Sequence, residues 1–331
     1  MIKNLQVLRA LAALLVAYYH FGYNNSKIGF FGVDIFFIIS GFIMSFVLFK
    51  NQTDFFLKRI IKIVPMYYIV TILISILWFI WPNLFHNVFV DGPSLAKSLL
   101  FIPYMKYTSG PILSSGWTLN YEIYFYLLLC LFLIFTKNVK RILFYTSLLL
   151  IMVWVLQQSN YFTNYYLSIY GNPIVLEFIF GAVLYLLYKN YKMRFNKKRA
   201  LFFLGVISFL SFFIMGYFNF NQLEGNRLLL YGIPSFFITS FFVMSENSWR
   251  TNSLVYQWLY RLGNASYVIY LIHPFIMNVF LRLIHPFLKN DNVWIAFVEL
   301  ICSLFFLCII SDLVHRKIEK PLLGRIEKLL L

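Results

Sequence analysis

The 331-residue chain is 61% apolar and 12% charged, and its formal net charge is +16 at pH 7. Soluble proteins carry charge at roughly a quarter of their positions, so this composition excludes a water-soluble globular protein. The basic residues form short clusters between apolar runs, which excludes the continuous basic face of a nucleic-acid-binding domain and is typical of membrane topology signals.

Ten apolar runs are long enough to cross a bilayer, which takes about 20 helical residues. We predict an all-α, polytopic membrane bundle of about ten transmembrane helices that forms one domain over residues 1–331. The predicted helices are 5–23, 29–49, 62–82, 117–136, 141–158, 172–189, 199–217, 228–245, 264–285 and 293–315. The segment 83–116 is too mixed for a span, and a short re-entrant or interfacial helix is expected there.

The first apolar run begins after Lys3, as the run of a signal peptide does. Arg9 interrupts this run, and no small-x-small cleavage pattern follows it. We therefore expect a retained first helix. The three cysteines and five histidines show no spacing typical of a metal site, so no metal is predicted.

The Lys and Arg residues divide unevenly between alternate loops. The set that includes both termini holds 21 of the 28, the opposite set holds six, and Arg9 is inside the first helix. Cytoplasmic loops carry the excess of Lys and Arg. We therefore predict that both termini are cytoplasmic.

Four of the ionisable side chains within predicted spans stand out, because a charge at the helix centre costs roughly 2.5–3.5 kcal/mol and needs a reason. Arg9 and His20 are eleven residues apart, which places them on one helical face with a rise of about 16 Å between them. Asp34 and Glu122 both lie about 7 Å below the outer end of their helices, at the depth of His20. An imidazole beside carboxylates suits acid–base chemistry.

Three of these residues also have a structural interpretation. His20 is near a helix end, where histidines often hydrogen-bond to neighbouring helices. Arg9 is close enough to the cytoplasmic end to extend its guanidinium to the headgroups. Asp34 follows a glycine-containing turn and suits a helix cap. Because His20, Asp34 and Glu122 share one depth, a functional site explains them better than an unrelated structural role for each residue.

Two further groups are candidates for substrate contacts. Lys58, Arg59 and Lys62 form a basic surface at the start of the third helix, which is either an ordinary positive-inside cluster or a dock for a polyanionic donor such as acyl-coenzyme A. His273 is near the bilayer middle, with Tyr270 and Ser266 on its helical face. Helix packing and a place on the substrate path are both open for His273.

Seven short motifs follow one another along most of the chain. They are Leu5-Gln-Val-Leu-Arg9 with His20, Gly32-Val-Asp34 through Ser40-Gly-Phe42, the basic stretch Arg59 to Tyr67, Gly116-Trp-Thr-Leu-Asn-Tyr-Glu122, Glu177-Phe178 with Gly181, Gly263 to Pro274, and Ile318-Glu-Lys-Pro321. In this order they resemble the signatures of acyltransferase family 3, and in detail its exopolysaccharide-production and O-antigen acetylase branch. Lys62 stands where an arginine is common, which keeps the charge but loses the bidentate fork.

The resemblance implies a bacterial inner-membrane O-acyltransferase that moves acetyl, or succinyl, from cytosolic acyl-CoA to a hydroxyl of a cell-surface or lipid-linked polysaccharide. Acetyl-CoA is then a co-substrate, and no tightly bound cofactor is expected. Its catalytic residues would be His20, Glu122, Asp34 and Arg9. Donor binding would involve Arg9, Arg59, Lys62 and Tyr67, and acceptor binding would involve Trp117, Asn120, Tyr270 and His273.

We expect His20 to act as general base on the acceptor hydroxyl, with Glu122 or Asp34 orienting it and Arg9 binding a donor phosphate or carbonyl. A covalent acyl-histidine is a less economical route. A transporter of lipid-linked sugar without chemistry would also bury charge in a cavity. The lack of an internal two-fold repeat counts against transport, and a pure scaffold leaves Arg9, His20 and Glu122 without a purpose.

Overall fold

A computed structural model describes residues 2–20, 27–82, 88–105, 110–159, 164–191, 203–211, 227–246, 249, 251–280, 282 and 293–330. Every regular element within these ranges is helical, which confirms the all-α fold. The helices are α1 Lys3–His20, α2 Phe31–Lys50, α3 Phe55–Ile80, α4 Gly92–Leu99, α5 Gly116–Phe135, α6 Val139–Gln158, α7 Tyr165–Tyr170, α8 Leu176–Tyr191, α9 203–211, α10 Ile233–Met244, α11 Leu254–Asn264, α12 Ser266–Val279, α13 Val293–Val314 and α14 Lys320–Leu330.

Short elements of other helical types flank some of these helices. A 3-10 turn, Lys27–Phe30, precedes α2, and a second, Pro173–Val175, precedes α8. Two π-helical turns, Leu228–Gly232 and His315–Glu319, precede α10 and α14. Such turns are common at functional sites, and the first of them adjoins the charged cluster described below.

Each of the ten predicted spans corresponds to a helix in the described ranges, although 5–23, 199–217 and 264–285 are described only in part. Six helical segments there are long and apolar enough to cross a membrane. They are Phe31–Lys50, Phe55–Ile80, Gly116–Phe135, Val139–Gln158, Pro173–Asn190 and Trp294–Leu330. α10 and α12 are shorter, with 12 and 14 residues. The total of ten spans and the cytoplasmic termini stay predictions.

The short helix expected within 83–116 is α4. The side chain of Asp91 accepts a hydrogen bond from the Ser94 backbone N–H at 2.8 Å, which caps the helix at its start. The hydroxyl of Tyr68 in α3 donates to the Leu99 carbonyl at 2.8 Å, so the end of α4 is held against α3. The short helix is confirmed, and its depth in the membrane stays a prediction.

The chain divides into two compact units. The first comprises Met1–Lys50 and Pro173–Leu313, and the second comprises Asn51–Asn172 and Val314–Leu331. The single domain over 1–331 stays a prediction. In the first unit α1 packs against α2, α10, α11 and α12, and α2 packs against α8. In the second unit α3 packs against α4, α5 and α14, and α6 packs against α5 and α7.

Two glycines set the approach of α2 to α8. A Cβ added at Gly41 would collide with the Phe178 carbonyl, and one added at Gly181 would collide with the Ile38 carbonyl. The two backbones are therefore in direct contact, as at the small-residue crossings of membrane helices. Glu177 is one turn before Gly181 and Asp34 is two turns before Gly41, so this crossing determines where both carboxyl groups lie.

Candidate active site

Arg9 and His20 lie on one uninterrupted helix, since α1 is helical from Lys3 to His20. The expected rise of about 16 Å between them therefore applies. Arg9 is half-buried, and its Nη1 donates to Gln6 Oε1 at 3.4 Å. His20 is the last residue of α1 and is exposed, with the Tyr19 ring 5.1 Å from its own.

The structure brings His20 together with His273 of α12. The centroids of the two imidazole rings are 4.9 Å apart, and the ring planes are tilted by 45°. The residues are far apart in sequence, and the contact forms because α1 packs along α12. Two of the predicted site residues are thus direct neighbours, although no pairing between them was expected.

His273 has one satisfied ring nitrogen and one unsatisfied ring nitrogen. Its side chain is 1% exposed, and Nδ1 is 2.8 Å from the carbonyl oxygen of Tyr270. Nε2 is buried and makes no hydrogen bond to any residue that the structure describes. A buried polar atom without a partner is uncommon in native proteins and calls for an explanation.

One face of α12 supplies the surroundings of this imidazole pair. Ser266, Tyr270 and His273 are all buried on it, as the helical spacing predicts. The Tyr270 ring contacts the Phe36 ring of α2 edge-on, with centroids 5.8 Å apart. The His20–His273 pair therefore lies where α1, α2 and α12 meet, and aromatic rings restrict the movement of His273.

Asp34 is engaged in an ion pair that was not predicted. Its Oδ2 accepts a hydrogen bond from Arg227 Nη2 at 2.9 Å, and its side chain is fully buried. Glu177, also fully buried, is an electrostatic neighbour of both groups. Asp34, Glu177 and Arg227 form what we name the carboxyl cluster, which joins α2, α8 and the residue before the first π turn.

The carboxyl cluster is packed closely by its neighbours. The Arg227 guanidinium is 5.5 Å from the ring centroids of Phe30 and Tyr231, within the range of cation–π attraction. A Cβ added at Gly232, in the π turn, would lie 3.3 Å from Glu177 Oε1. A larger residue there would require the Glu177 carboxyl group to shift by a few tenths of an ångström. The π turn therefore presents Arg227 to Asp34 while its last residue leaves room for Glu177.

Glu122 lies in the second unit, on α5. It accepts a hydrogen bond from the Tyr126 hydroxyl one turn further along the helix. Trp117 is partly exposed, with its ring 5.9 Å from that of Tyr121, and Asn120 is buried. The polar layer that would join Glu122 to His20 involves both units, and it stays a prediction together with acceptor binding by Trp117 and Asn120.

The proposed donor dock is also in the second unit. Arg59 is half-buried, Lys62 is exposed, and Lys58 is 3.7 Å from Asp54. Tyr67 is fully buried and donates its hydroxyl to the Ser98 carbonyl at 3.2 Å, so in this structure it holds α4 on α3. Contact between these residues and a donor stays a prediction.

Glu319, in the last of the seven motifs, is bound locally. Its Oε2 is 2.6 Å from His315 Nδ1, one turn earlier. Across the described ranges, no three His, Cys, Asp or Glu side chains are close enough together to hold a metal ion. Cys130, Cys302 and Cys308 are free thiols.

Known proteins resemble this chain over almost its whole length. A family model described as an acyltransferase domain matches residues 2–316. The exopolysaccharide production protein ExoZ of Rhizobium meliloti is 31% identical over 168 residues, which is 49% of this chain and 51% of that protein. The peptidoglycan O-acetyltransferase OatA of Listeria monocytogenes is 26% identical over 356 residues, covering 97% of this chain and 56% of that protein.

The chain therefore spans about half the length of these curated relatives. No solved structure matches it. The family match extends over nearly all of the sequence and includes every residue of the imidazole pair and of the carboxyl cluster. The chain belongs to acyltransferase family 3.

Proposed function

We propose that the chain is a membrane O-acyltransferase that moves a short acyl group, acetyl by preference, from cytosolic acyl-CoA to a hydroxyl of a cell-surface or lipid-linked polysaccharide. The family supports acyl transfer. The names of ExoZ and OatA associate such proteins with exopolysaccharide production and with O-acetylation of peptidoglycan. In this proposal the protein spans the bacterial inner membrane, with membrane lipid around it.

The observation that carries the proposal is the pair of imidazoles on α1 and α12. His20 is exposed, so a substrate hydroxyl has access to it, and Arg9 is on the same helix nearer the predicted cytoplasmic end. A histidine is the side chain best suited to take and return a proton near neutral pH. Because α1 carries both Arg9 and His20, it would connect a donor that enters from the cytoplasmic side with an acceptor that enters from the outer side.

In the proposed reaction, acetyl-CoA binds through its phosphates to Arg59 and Lys62, beside Tyr67, and its pantetheine arm extends past Arg9. His20 removes the proton of the acceptor hydroxyl as the oxygen attacks the thioester carbonyl carbon. A C–O bond forms, the C–S bond breaks, and the proton passes from His20 to the departing coenzyme A sulfur. Atoms and charge balance without a further reactant.

The proposed roles of Trp117, Asn120, Tyr270 and Glu122 stay as predicted, and the role of Asp34 changes. Trp117, Asn120 and Tyr270 would contact the acceptor, and Glu122 would orient His20 or the acceptor hydroxyl. The Asp34–Arg227 ion pair favours a role for Asp34 in fixing the start of α2. Asp34 would then support the site without contacting the reacting atoms.

The experiment compares surface glycan from cells that produce the wild type, His20→Ala or a control, Gln158→Ala, at equal protein levels. Gln158 is exposed at the end of α6 and outside the proposed site. Base-labile O-acyl esters are quantified by mass spectrometry and proton NMR. We expect His20→Ala to lose roughly 100-fold or more of the transfer rate, and so the esters, while glycan export is unchanged.

Two outcomes would overturn parts of this proposal. Full ester content with His20→Ala would exclude this residue as the base. Loss of the glycan itself, with the remaining chains normally esterified, would favour the alternative in which the protein transports lipid-linked sugar.

A further inference from the structure

His273 is followed by a proline inside α12, and this pair has a structural consequence. Proline lacks a backbone N–H, so Pro274 cannot donate the helical hydrogen bond to the carbonyl four residues earlier. That carbonyl belongs to Tyr270. It is the same group that lies 2.8 Å from Nδ1 of His273. The side chain of His273 therefore takes the place of the missing backbone donor.

This hydrogen bond determines the tautomer of His273. A carbonyl only accepts hydrogen bonds, so Nδ1 must carry the hydrogen. In the neutral ring Nε2 then has a free lone pair, because the partner of one ring nitrogen sets the protonation of the other. The structure thus places a hydrogen-bond acceptor of fixed identity in a buried position.

The neighbouring helix α1 presents the imidazole of His20 to this ring. A centroid separation of 4.9 Å leaves space between facing ring nitrogens for a hydrogen bond and for nothing larger. This bond is not formed here, and the exposed His20 ring would have to rotate to form it. Catalytic hydrogen bonds are often long or poorly aligned until substrate binds.

We propose that His273 is a positioning residue: its Nε2 accepts a hydrogen bond from one ring nitrogen of His20 and so directs the other, unprotonated nitrogen of His20 at the acceptor hydroxyl. This inference rests on the proposed function, in which His20 is the general base. In this proposal His273 orients the His20 ring, a role for which Asp34 was a candidate, because Asp34 is bound to Arg227.

Burial decides which histidine touches the substrate. His273 is 1% exposed and Nε2 is shielded, so a hydroxyl cannot reach it without displacing neighbouring side chains. His20 is exposed and lies against it. When His20 takes the hydroxyl proton, the hydrogen bond to His273 stabilises the resulting imidazolium, and that proton then leaves on the coenzyme A sulfur. His273 itself neither gains nor loses a proton.

Two amide substitutions at His273 distinguish a role in positioning His20 from a role in helix packing. In His273→Gln the amide extends to the place of Nε2, so its oxygen can still accept from His20. In His273→Asn the shorter amide reaches only the place of Nδ1, so the bond to Tyr270 survives and the bond to His20 is lost. The two side chains differ by one methylene, and both keep α12 polar at this position.

The assay uses inside-out membrane vesicles, which contain the native acceptor, and follows release of coenzyme A over a series of acetyl-CoA concentrations. We expect His273→Asn to lower kcat roughly 10- to 100-fold, since misplacing a catalytic group by about 1 Å costs up to about 100-fold. KM for acetyl-CoA should stay within about twofold, because His273 does not bind the donor. His273→Gln should recover most of the lost rate.

A kcat for His273→Asn equal to that of the wild type would overturn the inference, and so would equal losses in the Asn and Gln variants at matched folded protein. The His20→Ala vesicles separate this from failure of the proposed function. If the wild type releases no more coenzyme A than His20→Ala, the proposed function fails. If His20→Ala is inactive while His273→Asn is fully active, only the role of His273 fails.

A measurement without turnover tests the tautomer directly. Purified protein labelled with ¹⁵N-histidine, in lipid nanodiscs, should show one imidazole with Nδ1 protonated and Nε2 unprotonated, and this signal should disappear in His273→Gln. Protonated Nε2 on His273 would remove the lone pair on which the inference depends.

Discussion

The Asp34–Arg227 ion pair offers a quantitative test of the fold. In Arg227→Met the side chain keeps much of its length but loses the charge, and Asp34 remains fully buried with its ionic partner removed. Glu177, equally buried, adds a second carboxyl group to the same space. The loss should destabilise the first unit, because α2, α8 and the first π turn all meet at this cluster.

Removing one partner of a buried ion pair costs about 3–5 kcal/mol, mostly because the other charge stays buried. The Arg227 side chain is 22% exposed, so solvent already screens part of the interaction and the lower figure, about 3 kcal/mol, applies. For a domain of 150–250 residues each kcal/mol moves the melting temperature by about 2–4 °C. We therefore expect Arg227→Met to melt about 6 °C or more below the wild type.

The same chain supplies a matched control. Arg261 and Asp312 form an ion pair in the first unit at 3.0 Å, but the Arg261 side chain is 56% exposed. Exposed pairs contribute about 0–1 kcal/mol. Arg261→Met should therefore melt within about 4 °C of the wild type. The double variant Asp34→Asn/Arg227→Met should recover part of the loss, since it removes the Asp34 charge that Arg227→Met leaves without its partner.

Unfolding can be followed through the cysteines, because Cys308 is buried and Cys130 is partly buried in the folded protein. A thiol-reactive fluorophore reports their exposure on heating, in a Cys302→Ala background that removes the exposed thiol. Equal melting of Arg227→Met and Arg261→Met would refute the claim that the carboxyl cluster stabilises the fold. A double variant less stable than Arg227→Met would refute the assignment of the cost to unpaired charge.

Three other predictions follow from particular contacts. Gly41→Leu and Gly181→Leu should sharply reduce the folded protein recovered by size-exclusion chromatography, because their side chains would meet the backbone of the opposite helix, whereas Gly324→Leu meets nothing within 4 Å and should be recovered normally. Pro274→Ala restores a backbone donor to the Tyr270 carbonyl. It should lower the coenzyme A release rate, but less than His20→Ala does, and it should leave KM for acetyl-CoA unchanged. An unchanged rate would contradict a role for Pro274 in fixing the tautomer of His273. Replacing Arg59 and Lys62 together with Ala should raise KM for acetyl-CoA with kcat largely kept, while Lys140→Ala, which removes an exposed lysine at the start of α6, serves as the control. Equal KM values in the wild type and both variants would exclude the dock.

The helices could be predicted from the sequence because length and apolar character are local properties. Each predicted span has a helical counterpart among the described residues, and the short helix α4 was expected between α3 and α5. The helices α7, α11 and α14 were missed. They have 6, 11 and 11 residues, too few for a search based on membrane-crossing length.

Partners within the site could be predicted only in part. Sequence gives the depth of a residue along its helix, but not which neighbouring helix its side chain meets. Asp34 was placed at the depth of His20, whereas its partner Arg227 is 193 positions away in a segment interpreted as an outer loop. The contact of His20 with His273 likewise depends on how α1 packs along α12. The sequence placed His273 on one helical face with Tyr270 and Ser266, before a proline that frees the Tyr270 carbonyl, but it gave no indication of the contact with His20.

The most direct test of the account traces the acyl group itself. Inside-out vesicles from cells that produce the wild type or His20→Ala are supplied with acetyl-CoA carrying ¹³C in its carbonyl carbon, and the glycan is then examined by carbon NMR for labelled esters. Acyl transfer with His20 as the base should give ¹³C ester on the glycan with the wild type and none with His20→Ala. Labelled ester in equal amounts from both proteins, or unlabelled glycan from both, would contradict it.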